Sequence, residues 1–128
     1  MDEILTYVYE QIKGIDIIKT NFGNRIYFYE PSENDDTSRA FIVLDPLLPF
    51  DTSLHASNDY HSRNFHFQMD IETYDFYLTH QTATLIIDHL KKCGLSVEAG
   101  GMDEYFKDTK RYVISKRFYG TPKLLNKN

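Results

Sequence analysis

The sequence predicts an α+β domain: a mostly antiparallel sheet with two main helices packed on one of its faces. Three observations carry that prediction. Apolar residues recur at helical spacing near the start of the chain (Ile4, Leu5, Val8, Ile12) and again between Leu78 and Leu90. Residues 64–74 alternate, with Phe65, Phe67, Met69 and Ile71 on one side and His66, Gln68, Asp70 and Glu72 on the other, as a strand with one wet face does. The elements run helix, strands, helix, strands, which collects the helices on one side of a sheet. A length of 128 residues fits a single core. Residues 1–122 are therefore assigned to one domain and 123–128 to a polar tail.

Taken in order, Asp2 to Lys13 is the first predicted helix, with Asp2 suited to its cap and Gly14 to its end. Ile15 to Lys19 reads as a short extended piece, followed by turn residues Asn21-Phe22-Gly23-Asn24. Arg25 to Tyr29 has strand composition, and the polar run Glu30 to Arg39 is an exposed loop. Ala40 to Leu44 is apolar throughout, as a central strand is, and Asp45-Pro46 is expected to stop it. Pro46 to Arg63 has no regular period, yet it carries Leu47, Leu48, Phe50, Leu54 and Tyr60. A loop of that length with that apolar content reads as functional.

After the alternating strand, Asp75 or Thr79 caps a helix that runs to Cys93. Its inner stripe is Leu78, Thr82, Leu85, Ile86, His89, Leu90 and Cys93. Lys91 and Lys92 suit the negative end of its dipole, and Gly94 fits the position just past it. Leu95 to Ala99 is a short strand broken by Gly100-Gly101. Arg111 to Tyr119 is the last strand, with Arg111 and Arg117 on a basic face, and Gly120-Thr121-Pro122 ends the fold.

Composition narrows the function classes. No apolar run approaches the roughly 20 residues that cross a bilayer. Met1-Asp2-Glu3 is acidic where a secretory signal is basic, so the chain is expected to begin in the cytoplasm. Cys93 is the single cysteine, which leaves no internal disulfide and no thiolate cluster for zinc. A net charge of −5 opposes tight binding to phosphate backbones. Ten Tyr and nine Phe, with no Trp, supply amphipathic contact area of the kind found at subunit interfaces.

Tests for chemistry come out bland. His61 and His66 fall on opposite faces of an extended strand, His80 and His89 are too far apart on a helix to share an ion, and His66 with Asp70 lacks a third ligand. Asp45, Asp70 and Glu72 form a carboxylate set of the type that metal-dependent nucleases use, but the lysine that usually follows the second carboxylate on its strand is missing. No Gly-x-Ser-x-Gly elbow occurs, and Cys93 sits on an apolar stripe. Gly100-Gly101 is followed by Met102-Asp103-Glu104, whose charge repels phosphate. Tyr112, Phe118 and Tyr119 interleave with Lys110, Lys116 and Arg117, which suits either a single-strand stacking platform or an interface strand, and the net charge favours the second. No catalytic, cofactor-binding or metal-ligating residue is assigned.

The first helix, the strand Phe41-Ile42-Val43-Leu44-Asp45-Pro46, the alternating strand and its following helix stand in a recognisable order. So does the closing run Asp103-Glu104-Tyr105-Phe106-Lys107-Asp108-Thr109-Lys110-Arg111-Tyr112, then Lys116-Arg117-Phe118-Tyr119-Gly120. Together these resemble the small tail-terminator, or tail-completion, proteins of long-tailed phages of Gram-positive bacteria. Phe106 and Lys110 depart from a common form of that family, where shorter or more polar residues are frequent. The resemblance implies a non-catalytic subunit of a ring, with a hexamer expected. That ring caps the tail tube and meets the capsid neck in the virion, after assembly in the host cytoplasm. Its implied partners are its own copies, the major tail tube protein and the neck connector, with DNA passing through without specific binding and no membrane. A closed ring needs two different contact faces per subunit. Leu47, Leu48, Phe50, Leu54 and Tyr60 of the long loop, with Arg117 and Tyr119 of the last strand, are the expected interface residues. The alternatives are a stopper or other connector ring, a metal-dependent hydrolase built on Asp45, Asp70 and Glu72, and a monomeric host-directed binding module.

Overall fold

The computed structural model describes residues 2–47 and 65–122. The chain runs α1 (Asp2–Ile12), α2 (Asp16–Asn21), β1 (Ile26–Phe28), β2 (Phe41–Pro46), β3 (Phe65–Thr73), α3 (Phe76–Lys92), β4 (Leu95–Val97), β5 (Met102–Phe106) and β6 (Arg111–Gly120). Strands lie in the order β1-β2-β3-β6-β4, and β5 also pairs with β6, on the stretch that β4 leaves free. Only β1 and β2 are parallel; every other pairing among the described residues is antiparallel. The predicted α+β class is the observed one.

The alternation of β3 decides which side is wet. Phe65, Phe67, Met69, Ile71 and Thr73 are buried, while the residues between them are half-buried. On the buried side they meet Ile42 and Leu44 of β2, and Ile114 and Phe118 of β6. Phe67 and Phe118 stack with ring centres 5.2 Å apart. Ile4, Leu5, Val8 and Ile12 of α1, with Ile86 and Leu90 of α3, close this core from the helical side. Each such side chain, fully buried, contributes about 1.5–3 kcal/mol of transfer free energy.

The start of α3 is set by Asp75, whose carboxylate accepts from the Leu78 N–H at 3.1 Å. Thr79, the other expected cap, is buried instead and shares a 2.8 Å hydrogen bond with Thr73. Gly94 ends the helix at φ 96°, with its N–H on the Lys91 carbonyl. The inner stripe holds Thr79, Thr82, Ala83, Ile86 and Leu90. Leu85, expected on it, is 43% exposed.

Three further expectations are corrected. Ile15 to Lys19 is not extended, because α2 forms over Asp16–Asn21 and buries Ile18, with Phe22 just beyond it. Apolar residues at 15, 17 and 18 satisfy both periods, and burial of 18 with 22 selects the helix. Asp45-Pro46 does not stop β2, which continues to Pro46 opposite Phe67. There β1 has already ended, so on that side the proline leaves no ladder bond unmade. Finally, Met102–Phe106 is a strand that the sequence reading left out.

β4 and β5 are one edge interrupted by a bulge. The Glu98 N–H reaches the Arg117 carbonyl at 2.8 Å and Met102 sits opposite Ser115, so residues 99–101 face Lys116 alone. A Cβ on Gly101 would stand 2.4 Å from the Ser115 carbonyl oxygen, at φ +100°. Only glycine fits there. None of the described helices is long and apolar enough to cross a membrane.

Candidate assembly surface

The helices cover one side of the sheet; the other is covered in part, since Phe41, Val43, Val113 and Arg111 are buried there, while Arg117 and Tyr119 are exposed. The residues of this outer side are read from the register. The column on β3 is His66, Gln68, Asp70 and Glu72, flanked by Phe41, Val43 and Asp45 on β2. On the other side stand Val113, Ser115, Arg117 and Tyr119 on β6. Asp70 accepts from Ser115 Oγ and, at 3.0 Å, from Gln68 Nε2. His66 Nε2 lies 2.6 Å from Glu98 Oε2, without the geometry of a directed hydrogen bond.

Carboxylates crowd this face. Burial pushes the Asp45 carboxyl above its ordinary range, and Asp70 and Glu30 push it further. Burial raises Glu72 as well; Arg111 opposes that shift and Asp70 adds to it. Asp45, Asp70 and Glu72 therefore do share a face, as the hydrolase alternative requires. Among the described residues, though, no three His, Cys, Asp or Glu side chains could hold a metal ion together.

A second feature lies at the start of α3. Tyr77, Phe76, His80, Tyr112 and Tyr105 form a continuous series of ring contacts. Phe76 is 5.3 Å from Tyr77, 4.1 Å from His80 and 5.7 Å from Tyr112 between ring centres, and Tyr112 is 4.7 Å from Tyr105. Tyr77 is 74% exposed, and Phe76, Tyr105, Phe106 and Tyr74 are exposed too. His80 spans the patch, with Nδ1 donating to the Phe76 carbonyl at 2.9 Å and Nε2 2.7 Å from Asp103. The Phe76 carbonyl, with Asp103 behind it, raises the His80 pKa. Clustered exposed rings beside charged groups are the composition of interface hot spots.

The expected interface residues fall elsewhere. Leu47 is half-buried and its N–H continues the ladder to the His66 carbonyl at 2.9 Å, so it is not a free loop residue. Leu48, Phe50, Leu54 and Tyr60 lie outside the described residues, as do His61 and the tail 123–128. Arg117 and Tyr119 are exposed on the outer face, where Arg117 Nε donates to Gln68 Oε1 at 3.2 Å. Arg111, expected on the same basic face, is instead buried. The aromatic patch went unread because its members are far apart in the chain.

No family model matches the chain, and no curated protein matches its sequence. In fold, it is similar to a chain of the solved "Virion of native gene transfer agent (GTA) particle", with a TM-score of 0.61 and 12% identity over 90% of each chain. At that identity the likeness is one of fold.

Proposed function

We propose that this chain is a structural virion protein. Within that class, we propose a tail-terminator ring subunit that caps the tail tube and joins it to the capsid neck. The observation that carries this reading is the continuous aromatic patch from Tyr77 to Tyr105, which the described residues leave exposed. Such a surface is stable in solution when another chain covers it. Its fold likeness to a chain of a virion particle and the sequence resemblance to tail-terminator proteins point the same way. Its partners are its own copies in a closed ring, expected to be a hexamer, with the tube protein and the neck connector above and below. A net charge of −5 opposes adhesion of the ring to DNA passing through it. Neither a cofactor nor catalysis belongs to this role.

The test is assembly. Purified protein, alone and mixed with tail tubes, is followed by sedimentation and electron microscopy. Rings seated on tube ends are expected. The double change Phe76→Ser with Tyr77→Ser should abolish them at a cost of about 1–3 kcal/mol in lost ring contacts, with a cooperative thermal melt retained. Monomers at all concentrations, or unchanged rings in the double variant, would sink this reading. Attachment to the capsid neck without attachment to tubes would favour a stopper ring instead.

A further inference from the structure

We propose that the groove on the outer face of the sheet receives residues 123–127 of a second copy of this chain. The inference rests on the ring reading above and names one of its contacts.

The groove has a volume of about 890 Å³, within the range of clefts that hold a ligand of a few residues. Two rows of side chains cross its floor. Phe41, Glu72 and Val113 form one, and Val43, Asp70, Ser115 and Met102 the other. Carboxylates thus run down the middle, with apolar side chains on both flanks. Among the described residues lining the groove, Lys107 is the one cation against Glu30, Asp70, Glu72 and Asp108. Burial raises the Glu72 pKa, Arg111 opposes that shift, and the neighbouring Asp70 adds to it. The occupant that fits is a short segment carrying cations and aliphatic side chains together.

Lys123-Leu124-Leu125-Asn126-Lys127 has that make-up. In an extended segment Lys123, Leu125 and Lys127 share one side, so a leucine is presented between two ammonium groups. The segment follows directly on the last described residue, Pro122, past the end of β6 at Gly120. Val113 lies roughly 23 Å from Gly120 along that strand, at about 3.3 Å per residue. The near row, at Ser115 and Met102, lies roughly 17 Å from Gly120. A chain that turns back through Thr121-Pro122 returns Leu125 only about 11 Å and Lys127 about 18 Å, at ~3.6 Å per residue. Its own groove could therefore take Lys127 at the near row and no more, whereas a second copy can lay the whole segment across both rows. A segment leaving one subunit for the face of the next is a head-to-tail contact of the sort that closes a ring.

The test is cross-linking between full-length chains in a Cys93→Ser background. One preparation carries Leu125→Cys, the other Met102→Cys. On mixing under mild oxidation, a disulfide-linked dimer holding one chain of each kind is expected, because the bond needs Cα atoms within about 7 Å. Leu125→Cys paired with Glu3→Cys, on an exposed position of α1, should link at least about tenfold less. Adding Lys123→Glu and Lys127→Glu to the Leu125→Cys chain should lower the linked fraction about tenfold, the equivalent of about 1.4 kcal/mol. The changes at 123, 125 and 127 lie outside the described fold, and thermal melts of the Cys93→Ser and Met102→Cys chains, expected to stay cooperative, separate a negative result from misfolding. Equal linkage to Glu3→Cys and Met102→Cys, or no effect of the charge reversals, overturns the inference. Sedimentation of the parent chain separates the two failures: rings without the linkage sink only this contact, whereas monomers throughout sink the ring reading as well.

Discussion

Arg111 Nε stands 3.3 Å from Glu72 Oε2, and this arginine is only 5% exposed. The same guanidinium donates to the Thr37 carbonyl and lies 4.3 Å from the Tyr74 ring centre and 5.5 Å from that of Phe41. It ties the 30–39 loop to the outer face of the sheet. Arg111 is desolvated while Glu72 keeps 28% of its side chain exposed. The ion pair adds little net stability over an apolar substitute, but removing the arginine leaves a half-buried carboxylate without its cation.

Arg111→Ala is accordingly expected to lose about 3 kcal/mol in urea unfolding, through an unpaired carboxylate and lost packing against two rings. Arg111→Met combined with Glu72→Gln should lose clearly less than Arg111→Ala alone. If the single change costs under about 1 kcal/mol, the pair is not the anchor described here.

Gly101 and Gly14 give opposite outcomes for the same change. At Gly101 an added Cβ meets the Ser115 carbonyl oxygen at 2.4 Å and the backbone is at φ +100°; at Gly14 nothing lies within 4 Å. Gly101→Ala should destabilise by at least about 2 kcal/mol, since the β-bulge must rearrange. Gly14→Ala should be neutral or stabilising by up to about 1 kcal/mol. Paired thermal melts decide it, and equal effects at both sites would refute the bulge geometry.

Three groups make stability fall as pH rises. Asp45, Glu72 and His80 all have folded pKa values above the ordinary 3.8, 4.5 and 6.5. Each binds its proton more tightly in the folded chain, so its contribution is present at low pH and lost as pH climbs through the folded value. Asp36 acts in reverse. The hydroxyl and N–H of Ser38, with Arg39, lower it to about 2, so its contribution is lost only as pH drops below the ordinary 3.8. Melting temperature is therefore expected to be highest at about pH 4, above the Asp36 window and where the Asp45 and Glu72 losses begin, and to decline toward pH 8. Asp45→Asn should flatten the lower part of that decline and His80→Gln the upper part. A melting temperature that rises from pH 5 to 8 would contradict the assignment.

Cys93 is buried at the end of α3, with Sγ donating to Gln11 Oε1 at 3.3 Å. Serine keeps a donor for that bond but loses the thiol's apolar packing. Cys93→Ser should cost about 1–2 kcal/mol. In the native chain a soluble thiol reagent should react far more slowly than in urea; labelling at the unfolded rate would place the thiol on the surface.

Much of the fold was legible from neighbouring residues. The alternation of 65–73 named the buried side of β3 residue by residue, Asp75 marked the start of α3, and Gly94 its end. The edge was not legible. Met102-Asp103-Glu104-Tyr105-Phe106 has no alternation because only one neighbour, β6, and mostly water press on it. Its charges are what an unpaired edge carries to avoid pairing with another sheet. Arg111 failed for a different reason, since its residue type says surface, and only Glu72, Thr37, Tyr74 and Phe41, remote in the chain, make a buried place for it.

The interface shows the same division. The surplus of Tyr and Phe could be counted in the sequence, and it pointed to contact between chains. Which of them are left uncovered could not be counted, because Phe76, Tyr105 and Tyr112 meet only once the β5–β6 hairpin folds beside the start of α3. Backbone periodicity is written in adjacent residues, so the sequence alone determined the elements, the wet side of β3 and the α+β class. Burial of a charge and exposure of a ring depend on which distant strands pair, and that pairing, decided by the packed tertiary structure, leaves no local signature.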